Sequence, residues 1–212
     1  GTEKERALDL EWRIRTGGAD RLAFDVACLA GAEAALPHGQ PGNRPVERGK
    51  VLLFDFGAQV AGYRSDMTRT LFVGEPTARD LAVYGLVAAS QDVVFDRLAE
   101  AIPVAQRGAA PMPMGRDLDV LARSVIERDG RWPPYGHGLG HGIGLAVHEL
   151  PGLGRRSPEV PLPARTVFSV EPGIYLEGET GVRIEDLVAI DVAAGSMDLL
   201  TRFPRDAVIV GV

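Results

Sequence analysis

The sequence VLLFDFG over residues 51–57, followed by GYRSDMTRTLFV over residues 62–73, decides how this chain folds. The first block is short, apolar and bounded by glycine, which predicts a buried strand, and a second strand is predicted over about Gly62–Val73. A turn near Val60-Ala61 would join them as an antiparallel hairpin whose register places Asp55 opposite Asp66. Two carboxylates facing each other across a strand pair repel, unless a cation lies between them. The two blocks therefore predict an antiparallel strand pair in which Asp55 and Asp66 repel each other.

The second half of the sequence repeats this pattern. Residues 166–171 and 182–185 read as two more strands, separated by turn residues Gly178 to Gly181. Pairing about Gly178 brings Glu171 opposite Glu185. Ordinary surface ion pairs with nearby arginines are the simpler explanation for any single acid in a strand. The candidate partners are Arg64, Arg69 and Arg183. Four acids at equivalent positions instead favour a cation site, for which oxygen ligands suit magnesium, calcium or manganese.

A glycine-rich tract, YGHGLGHGIGLAVHE over residues 135–149, contains three of the four histidines of the chain. It lacks the Gly-Lys-Ser/Thr ending of a phosphate-binding loop. The histidine spacing of a zinc-protease helix is present, but Gly138 occupies the position of the required glutamate, and five glycines disfavour a helix. One histidine beside glycines would be read as a turn residue, whereas three in one tract favour imidazole ligands. One imidazole among the acids shifts the preferred metal toward manganese, cobalt, iron or zinc.

The remaining pattern gives the fold class. Helices are predicted over about residues 3–16, from Thr77 to 102, and over 116–129, and Pro103 and Gly130 are expected to end the second and third. A closing strand is predicted over 207–212. Each half runs from a helix to a histidine and then to two acids, with His38 and His148 at equivalent places. Strands and long helices without a strand–helix–strand period predict an α+β fold.

Composition narrows the function classes. The chain has 212 residues, 45% hydrophobic and 25% charged, with a net charge of −6, which predicts one folded domain and disfavours a nucleic-acid-binding surface. A single cysteine, Cys28, excludes an internal disulfide framework and fits a reducing compartment, so we expect a cytoplasmic protein. No apolar run is long enough to span a membrane. Because the chain begins Gly1-Thr2, we expect that an upstream part was removed.

These motifs resemble the pita-bread metallopeptidases: the Xaa-Pro dipeptidases (prolidases), aminopeptidase P and, more distantly, the methionine aminopeptidases. The resemblance covers essentially the whole chain and also rests on VEPGIY over residues 170–175 and GVRIED over 181–186. It implies an α+β pita-bread fold, with internally duplicated helix and β-hairpin halves around a central curved antiparallel sheet. It further implies that residues 1–212 form a catalytic domain whose usual N-terminal domain and first catalytic-domain helix are missing.

The resemblance also implies a metal site. The five ligands carried over are Asp55, Asp66, His141, Glu171 and Glu185. Asp66 and Glu185 would bridge two divalent ions, Asp55 would complete one site, and His141 with Glu171 would complete the other. The expected ions are Mn²⁺, with Co²⁺ or Zn²⁺ as alternatives, and a hydroxide between them would attack the peptide.

Further residues acquire roles by the same resemblance. Glu171 is the expected proton shuttle, and His38 and His148 are expected to assist catalysis and to bind substrate. His137 matches a substrate-binding position, and Arg183 is expected to orient a ligand carboxylate from behind the metals.

The activity implied is hydrolysis of the Xaa-Pro bond of short peptides, with an Xaa-Pro dipeptidase favoured by the proline-specific form of the motifs. An Xaa-Pro aminopeptidase acting on longer peptides is the alternative. Pita-bread binding modules and creatinase-like hydrolases work without metal, and the intact ligand set argues against both. The expected partners are short proline-containing peptides, with no nucleic acid or membrane, and a homodimer is expected for the full-length form.

Overall fold

The structure is a computed structural model that describes residues 1–211, so Val212, the last residue of the predicted closing strand, lies outside it. Helix α1 opens the first half and spans Glu3–Thr16; Thr2 caps it through a capping box with Glu5, as its sequence predicts. A 3-10 helix, Gly31–Ala35, follows the second strand. The strands of this half are β1 (Arg21–Leu22), β2 (Ala27–Ala30), β3 (Lys50–Phe56), β4 (Ala58–Val60), β5 (Tyr63–Arg64) and β6 (Met67–Val73).

The second half has two helices, α2 (Ala78–Gln106) and α3 (Gly115–Asp129). Its strands are β7 (Gly140–Gly142), β8 (Glu149–Leu153), β9 (Arg165–Val170), β10 (Gly173–Leu176), β11 (Thr180–Arg183), β12 (Asp186–Asp191), β13 (Ser196–Leu199) and β14 (Ile209–Val210). The buried faces of α2 and α3 pack with the strands in one core, which includes Val87, Leu98, Leu118 and Phe168. Helices and mainly antiparallel strands confirm the α+β class.

Two sheets carry the architecture. The four-stranded sheet has the order β14-β6-β3-β2 and the five-stranded sheet has the order β13-β12-β9-β7-β8. Every pairing in them is antiparallel except that of β14 with β6. The sheets meet where the backbone N–H of Glu185 donates to the carbonyl of Thr68 at 3.1 Å. This junction brings the ends of β3, β6, β9 and β12 together.

The predicted register of the first hairpin is wrong by two residues. Asp55 lies opposite Thr68, not Asp66. The cause is the turn, which falls at Ala61 and Gly62 with φ of 50° and 86°, one residue later than expected. Both φ values are positive, as a two-residue turn matching the strand twist requires. Because the shift moves the pairing by two residues, Asp66 stays on the same face as Asp55.

The second hairpin has the predicted register. The β10–β11 pair turns around Gly178, whose φ is 74°, and places Tyr175 opposite Gly181. Strands β9 and β12 continue the same pairing, with Val170 opposite Asp186. Glu171 and Glu185 lie between these two paired segments, at positions that the same register places opposite each other, whereas the strand expected at 182–185 ends at Arg183 and leaves Ile184 and Glu185 between β11 and β12.

Two other expectations need correction. Pro103 lies inside α2 and does not end it. Its ring removes one hydrogen bond in the last turns, and the helix ends instead where Gly108 takes a φ of 69° and donates to Ala105. The closing strand is reduced to Ile209–Val210, which pairs with β6. Within residues 1–211, no helix has the length and apolar character needed to cross a bilayer.

Candidate metal centre

One cavity contains every candidate site residue predicted from the sequence. Its volume is about 550 Å³, and it lies where the two sheets meet. The predicted residues on its wall are His38, Asp55, Asp66, His137, His141, His148, Glu171, Arg183 and Glu185. Phe24, Pro37 and Val147 add apolar surface. The two halves therefore contribute to a single site, as the repeated order of histidine and acids in the sequence predicts.

The acids of the first half lie on neighbouring strand ends. Asp55 is near the end of β3, and its Oδ2 accepts a hydrogen bond from Arg183 Nη2 at 2.6 Å. Asp66 immediately precedes β6 and is buried. The ion pair between Asp55 and Arg183 joins the first half to the second, with the guanidinium 4% exposed. Asp55 therefore pairs with one of the candidate arginines, but in a largely buried ion pair and not in the surface bridge of the simpler explanation.

The other two candidate arginines have different partners. Arg69 pairs with Asp186 at 2.5 Å, and Arg64 donates to the backbone carbonyls of Ala23 and Leu145. Neither contributes an ion pair to the acids that face the cavity. The acid cluster as a whole is therefore not neutralised by surface bridges.

Glu185 lies between β11 and β12 and is buried to 2% exposure. Its Oε2 accepts a hydrogen bond of 2.7 Å from Thr68 Oγ1, and Arg183 Nε in turn donates to that same hydroxyl oxygen at 3.0 Å. The hydroxyl proton of Thr68 must therefore point to Glu185, since arginine only donates. The hydrogen bond from Thr68 fixes Glu185 Oε2, and Glu185 Oε1 remains available to the acid cluster.

His141, on the short strand β7, brings the imidazole to the acids. Its Nε2 lies 3.7 Å from Asp66 Oδ2 and 3.4 Å from Glu171 Oε1. Its Nδ1 contacts the carbonyl of Gly142 at 3.1 Å, so a proton on Nδ1 leaves the Nε2 lone pair directed at the carboxylates. Ser169 positions both His141 and Glu171, since its Oγ accepts a hydrogen bond from the backbone N–H of His141 and donates one to Glu171 Oε1.

The electrostatics of the cluster call for a cation. Burial, and then the charges of Asp55 and Glu171, raise the pKa of Asp66 to about 9. Burial raises the pKa of Glu171 to about 7, and burial followed by the charge of Asp66 raises the pKa of Glu185. A nearby divalent ion reverses this effect, because it stabilises the ionised carboxylates.

The hydrogen-bond inventory also fits a metal. Among the described residues, three buried carboxylate oxygens of the cluster have no hydrogen-bond partner: Asp55 Oδ1, Asp66 Oδ1 and Glu185 Oε1. Asp66, His141 and Glu185 each offer a ligand atom, and these atoms lie within 4.8 Å of one another. Buried polar atoms are rarely left unpaired, and oxygen with one imidazole is a donor set that divalent transition metals accept. The residues present therefore fit a divalent metal centre.

The other histidines surround this centre. His148 is exposed, and its ring centroid lies 4.3 Å from that of His141. His38 is also exposed and lies on the cavity wall beside Pro37. His137 differs, because its Nδ1 contacts the Gly138 carbonyl and its Nε2 contacts the Tyr175 hydroxyl, each at 2.7 Å. Both ring nitrogens of His137 thus have protein partners, whereas His38 and His148 face the cavity from its open side.

The glycines of the tract allow the backbone to reach this position. A Cβ atom at Gly140 would lie 1.9 Å from the carbonyl oxygen of Ser169, and one at Gly142 would lie 2.3 Å from that of Leu150. Strand β7 can therefore run between β8 and β9 only without side chains at these places. The glycines serve close packing around His141, which explains why the tract is neither a helix nor a phosphate loop.

Several supporting residues escaped the sequence analysis. Thr68, Ser169 and Tyr175 hydrogen-bond to the acids, to Arg183 or to His137, and none of them carries a charge. The available signal was their polarity within apolar strands: Thr68 and Ser169 are fully buried. A buried hydroxyl in a strand next to a carboxylate points to a partner for that carboxylate.

Fold and cavity together define this chain as an α+β protein with a carboxylate-rich candidate metal centre between its two halves. The family model described as "Metallopeptidase family M24" matches residues 1–191. The chain belongs to metallopeptidase family M24, and the resemblance seen in the sequence is confirmed.

Individual relatives agree with this assignment. The Xaa-Pro dipeptidase of Pyrococcus furiosus is 37% identical over 89% of this chain and 51% of its own length. The crystal structure of the X-Pro aminopeptidase from Thermotoga maritima superposes with a TM-score of 0.87 at 41% identity, over 99% of this chain and 55% of that one. The X-prolyl aminopeptidase of Caenorhabditis elegans is described as a cytosolic enzyme with a di-nuclear active site. It superposes with a TM-score of 0.74 at 32% identity, over 89% of this chain and 30% of that one.

These matches establish the pita-bread fold predicted from the motifs. The chain spans about half the length of the curated relatives it matches.

Proposed function

We propose that this chain is the catalytic part of a dinuclear metallopeptidase that hydrolyses the Xaa-Pro bond of short peptides, and that it acts as an Xaa-Pro dipeptidase. The observation that carries the proposal is the cluster of four carboxylates and one imidazole on one cavity wall, with three buried oxygens lacking partners among the described residues. The dipeptidase of P. furiosus supports the substrate class.

The five residues that would hold the cations are those of the acid–imidazole cluster. Asp66 and Glu185 would bridge the two cations, because each has a buried oxygen without a hydrogen-bond partner and each offers a ligand atom within 4.8 Å of one on His141. Asp55 would complete one site, and His141 with Glu171 the other. Oxygen donors with one imidazole make Mn²⁺ our proposed ion, with Co²⁺ or Zn²⁺ as substitutes. Two such ions, when bound, polarise the scissile carbonyl and acidify the attacking water.

Glu171 is the proposed proton shuttle. Its carboxylate lies within 3.4 Å of His141 Nε2, and Ser169 donates to its Oε1, which leaves Oε2 for the reaction. In the proposed reaction Oε2 accepts a proton from the attacking water and then gives it to the proline nitrogen as the C–N bond breaks. One carboxylate can serve both steps, because the group that accepts the proton from water becomes the acid that releases it to the leaving nitrogen.

His38 and His148 are proposed to hold the substrate from the open side of the cavity. A ring N–H donated to the carbonyl oxygen would stabilise the charge that this oxygen acquires during attack. The ring of His148 lies beside that of His141, with centroids 4.3 Å apart, so we propose that His148 is the one of the two that reaches the reacting carbonyl. His38 beside Pro37 would contact the proline side of the peptide.

The bond before proline explains the need for such a site. Its nitrogen carries no hydrogen, so an enzyme that grips a peptide by backbone N–H groups loses a contact there. A histidine-lined cavity of about 550 Å³ can hold a short peptide by its ends and carbonyls instead. The T. maritima aminopeptidase makes action on longer Xaa-Pro peptides the second candidate.

A substrate panel tests this proposal. Purified protein, stripped with chelator and reloaded with Mn²⁺, Co²⁺ or Zn²⁺, would be assayed on Xaa-Pro dipeptides, Xaa-Pro tripeptides and longer peptides, with Xaa-Ala peptides as controls. Turnover of dipeptides alone supports the dipeptidase, and turnover of longer Xaa-Pro peptides supports the aminopeptidase. No metal-dependent hydrolysis of any Xaa-Pro peptide would overturn the function.

Cellular context belongs to the same proposal. A cytoplasmic location is supported by the single buried Cys28 and by the cytosolic C. elegans relative. Short proline-containing peptides are the proposed partners. The homodimer expected for the full-length form stays a prediction, which light scattering on that form would check.

A further inference from the structure

A buried ion pair lies on α3, outside the acid cluster. Asp119 and Arg123 are one helical turn apart, and Arg123 Nε contacts Asp119 Oδ2 at 2.7 Å. Their side chains are 0% and 6% exposed. Removing two charges from water costs about as much as their attraction returns, so such a pair is a poor source of stability by itself. What else the guanidinium contacts is therefore informative.

The two terminal nitrogens of Arg123 bind the backbone of the glycine-rich tract, residues 135–149, which carries His137 and His141. Nη1 donates to the carbonyl of Tyr135 and Nη2 donates to the carbonyl of His137, while the guanidinium lies 4.0 Å from the centre of the Tyr135 ring. Residues 130–139 contain no helix or strand, so their carbonyls need donors from elsewhere. A planar fork can hold two carbonyls at fixed spacing, which lysine cannot do.

The clamped residue, His137, begins a directed chain of hydrogen bonds. Arg183 Nη1 lies 3.0 Å from the Tyr175 hydroxyl and can only donate, so the hydroxyl proton is free for His137 Nε2. Nδ1 of the same ring then carries the hydrogen and donates to the Gly138 carbonyl. Arg183 also donates to Asp55, so the chain ends at the acid cluster.

We propose that Asp119 and Arg123 are positioning residues: by clamping the carbonyls of Tyr135 and His137, they hold the His137 imidazole in its Nδ1–H form against Tyr175. This rests on the proposed function only in that His137 lines the proposed peptidase cavity. Asp119 anchors the guanidinium from behind, and the Tyr135 ring, whose centroid is 5.1 Å from that of His137, supports it from the side. No contact between Arg123 and substrate is involved.

The first test is spectroscopic and independent of activity. Nitrogen-15 NMR of protein loaded with Zn²⁺, which is diamagnetic and leaves nearby signals sharp, would report the two ring nitrogens of His137, assigned with His137→Gln. The expected wild-type signal is a protonated Nδ1 and an unprotonated Nε2 that accepts a hydrogen bond. In Arg123→Lys and Asp119→Asn, we expect mixed tautomers or exchange broadening at His137, with the other imidazole signals unchanged.

A matched control comes from α1, where Asp9 and Arg13 form the same i,i+4 pair at 3.0 Å but are 53% and 71% exposed. Arg13→Lys should leave the His137 signals unchanged. Thermal unfolding of each variant tells a folding defect from a positioning defect, and Asp119→Asn provides a second route if Arg123→Lys unfolds.

The second test is a kinetic cycle on the substrate found in the panel. Losing a positioning residue should lower kcat/KM by about tenfold, in the range seen for residues that orient others. Arg123→Lys should do so in the wild-type background and have little further effect in His137→Gln, because both changes remove the same arrangement.

Unchanged His137 tautomers in both Arg123→Lys and Asp119→Asn would overturn the proposal, as would equal fold losses for Arg123→Lys with and without His137. If the protein hydrolyses no Xaa-Pro peptide, the proposed function fails while the NMR experiment still decides the role of the clamp.

Discussion

Asp66 is a buried carboxylate whose charge conflicts with that of neighbouring acids. It is 6% exposed, its Oδ1 lacks a partner, and its neighbours are acids. Such a carboxylate is explained if it binds cations, and we predict that Asp66→Asn abolishes hydrolysis and lowers metal stoichiometry. Activity and elemental analysis on the same sample check this. Near-normal turnover in Asp66→Asn would refute the bridging role.

A pH prediction follows from the same carboxylate. In the metal-free fold the pKa of Asp66 is raised to about 9, whereas an unfolded chain ionises near 3.8. Between these values the Asp66 carboxyl holds more proton in the folded state than in the unfolded state, so its contribution to stability is fully present below about pH 3.8 and is lost as pH rises toward 9. Thermal unfolding of chelated protein should show this decline, and Asp66→Asn should weaken it. A wild-type stability that rises over this range would contradict the prediction.

At the residue scale, the sequence predicted the charged and imidazole side chains of the site but not the hydroxyl groups that support them. The candidate ligands stand out because acids within apolar strands and histidines among glycines need an explanation that packing does not give. Thr68 and Tyr175 remained hidden, because a hydroxyl or ring in a strand has many uses and only the fold shows which one faces the cluster. The pairing of Arg183 with Asp55 could likewise not be predicted, because it depends on how the strands of the two halves lie relative to each other.

At the scale of elements, the short strand β7 depends on Gly140. A Cβ there would clash with the Ser169 carbonyl at 1.9 Å, so Gly140→Ala must displace β7 from β9. We predict loss of activity and of stability by more than about 1 kcal/mol, a typical single-substitution effect. Gly85→Ala in α2, where a Cβ meets nothing within 4 Å, is the control and should be neutral or stabilising. Denaturant unfolding and activity assays would compare them, and equal effects would count against the close-packing explanation.

Elements also show where prediction from the sequence fails. Helix starts at Thr2 and Thr77 and the stop at Gly130 were found because capping depends on local residue types. The turn of the first hairpin was predicted one residue too early, because Ala61 adopts a positive φ, which is uncommon for alanine and cannot be predicted from the residue type. Short strands such as β2 pair with distant residues, and their apolar residues alone did not separate them from loop.

At the scale of the molecule, Arg69 holds both halves together. Its Nη2 pairs with Asp186 at 2.5 Å, and Nη1 donates to the carbonyls of Thr68 and Glu185. The remaining N–H groups reach the carbonyls of Phe203 and Pro204. The guanidinium therefore connects β6, the start of β12 and the C-terminal segment at the junction of the sheets.

We predict that Arg69→Met destabilises the protein by about 3–5 kcal/mol, because it leaves Asp186 buried without its main partner. Arg97→Met, which removes an exposed pair with Glu100 at 4.0 Å, should cost less than about 1 kcal/mol. Urea unfolding followed by circular dichroism would measure both. Similar costs for the two variants would show that the junction does not depend on Arg69.

At this scale, both halves of the chain supply acids to one cavity. The central claim is that this cavity is a dinuclear metal centre. Anomalous X-ray diffraction from crystals of the Mn²⁺-loaded protein tests it most directly. The account predicts two peaks about 3.5–4 Å apart, within bonding distance of the five cluster residues Asp55, Asp66, His141, Glu171 and Glu185. No peak in the cavity, or manganese bound only elsewhere, would contradict it.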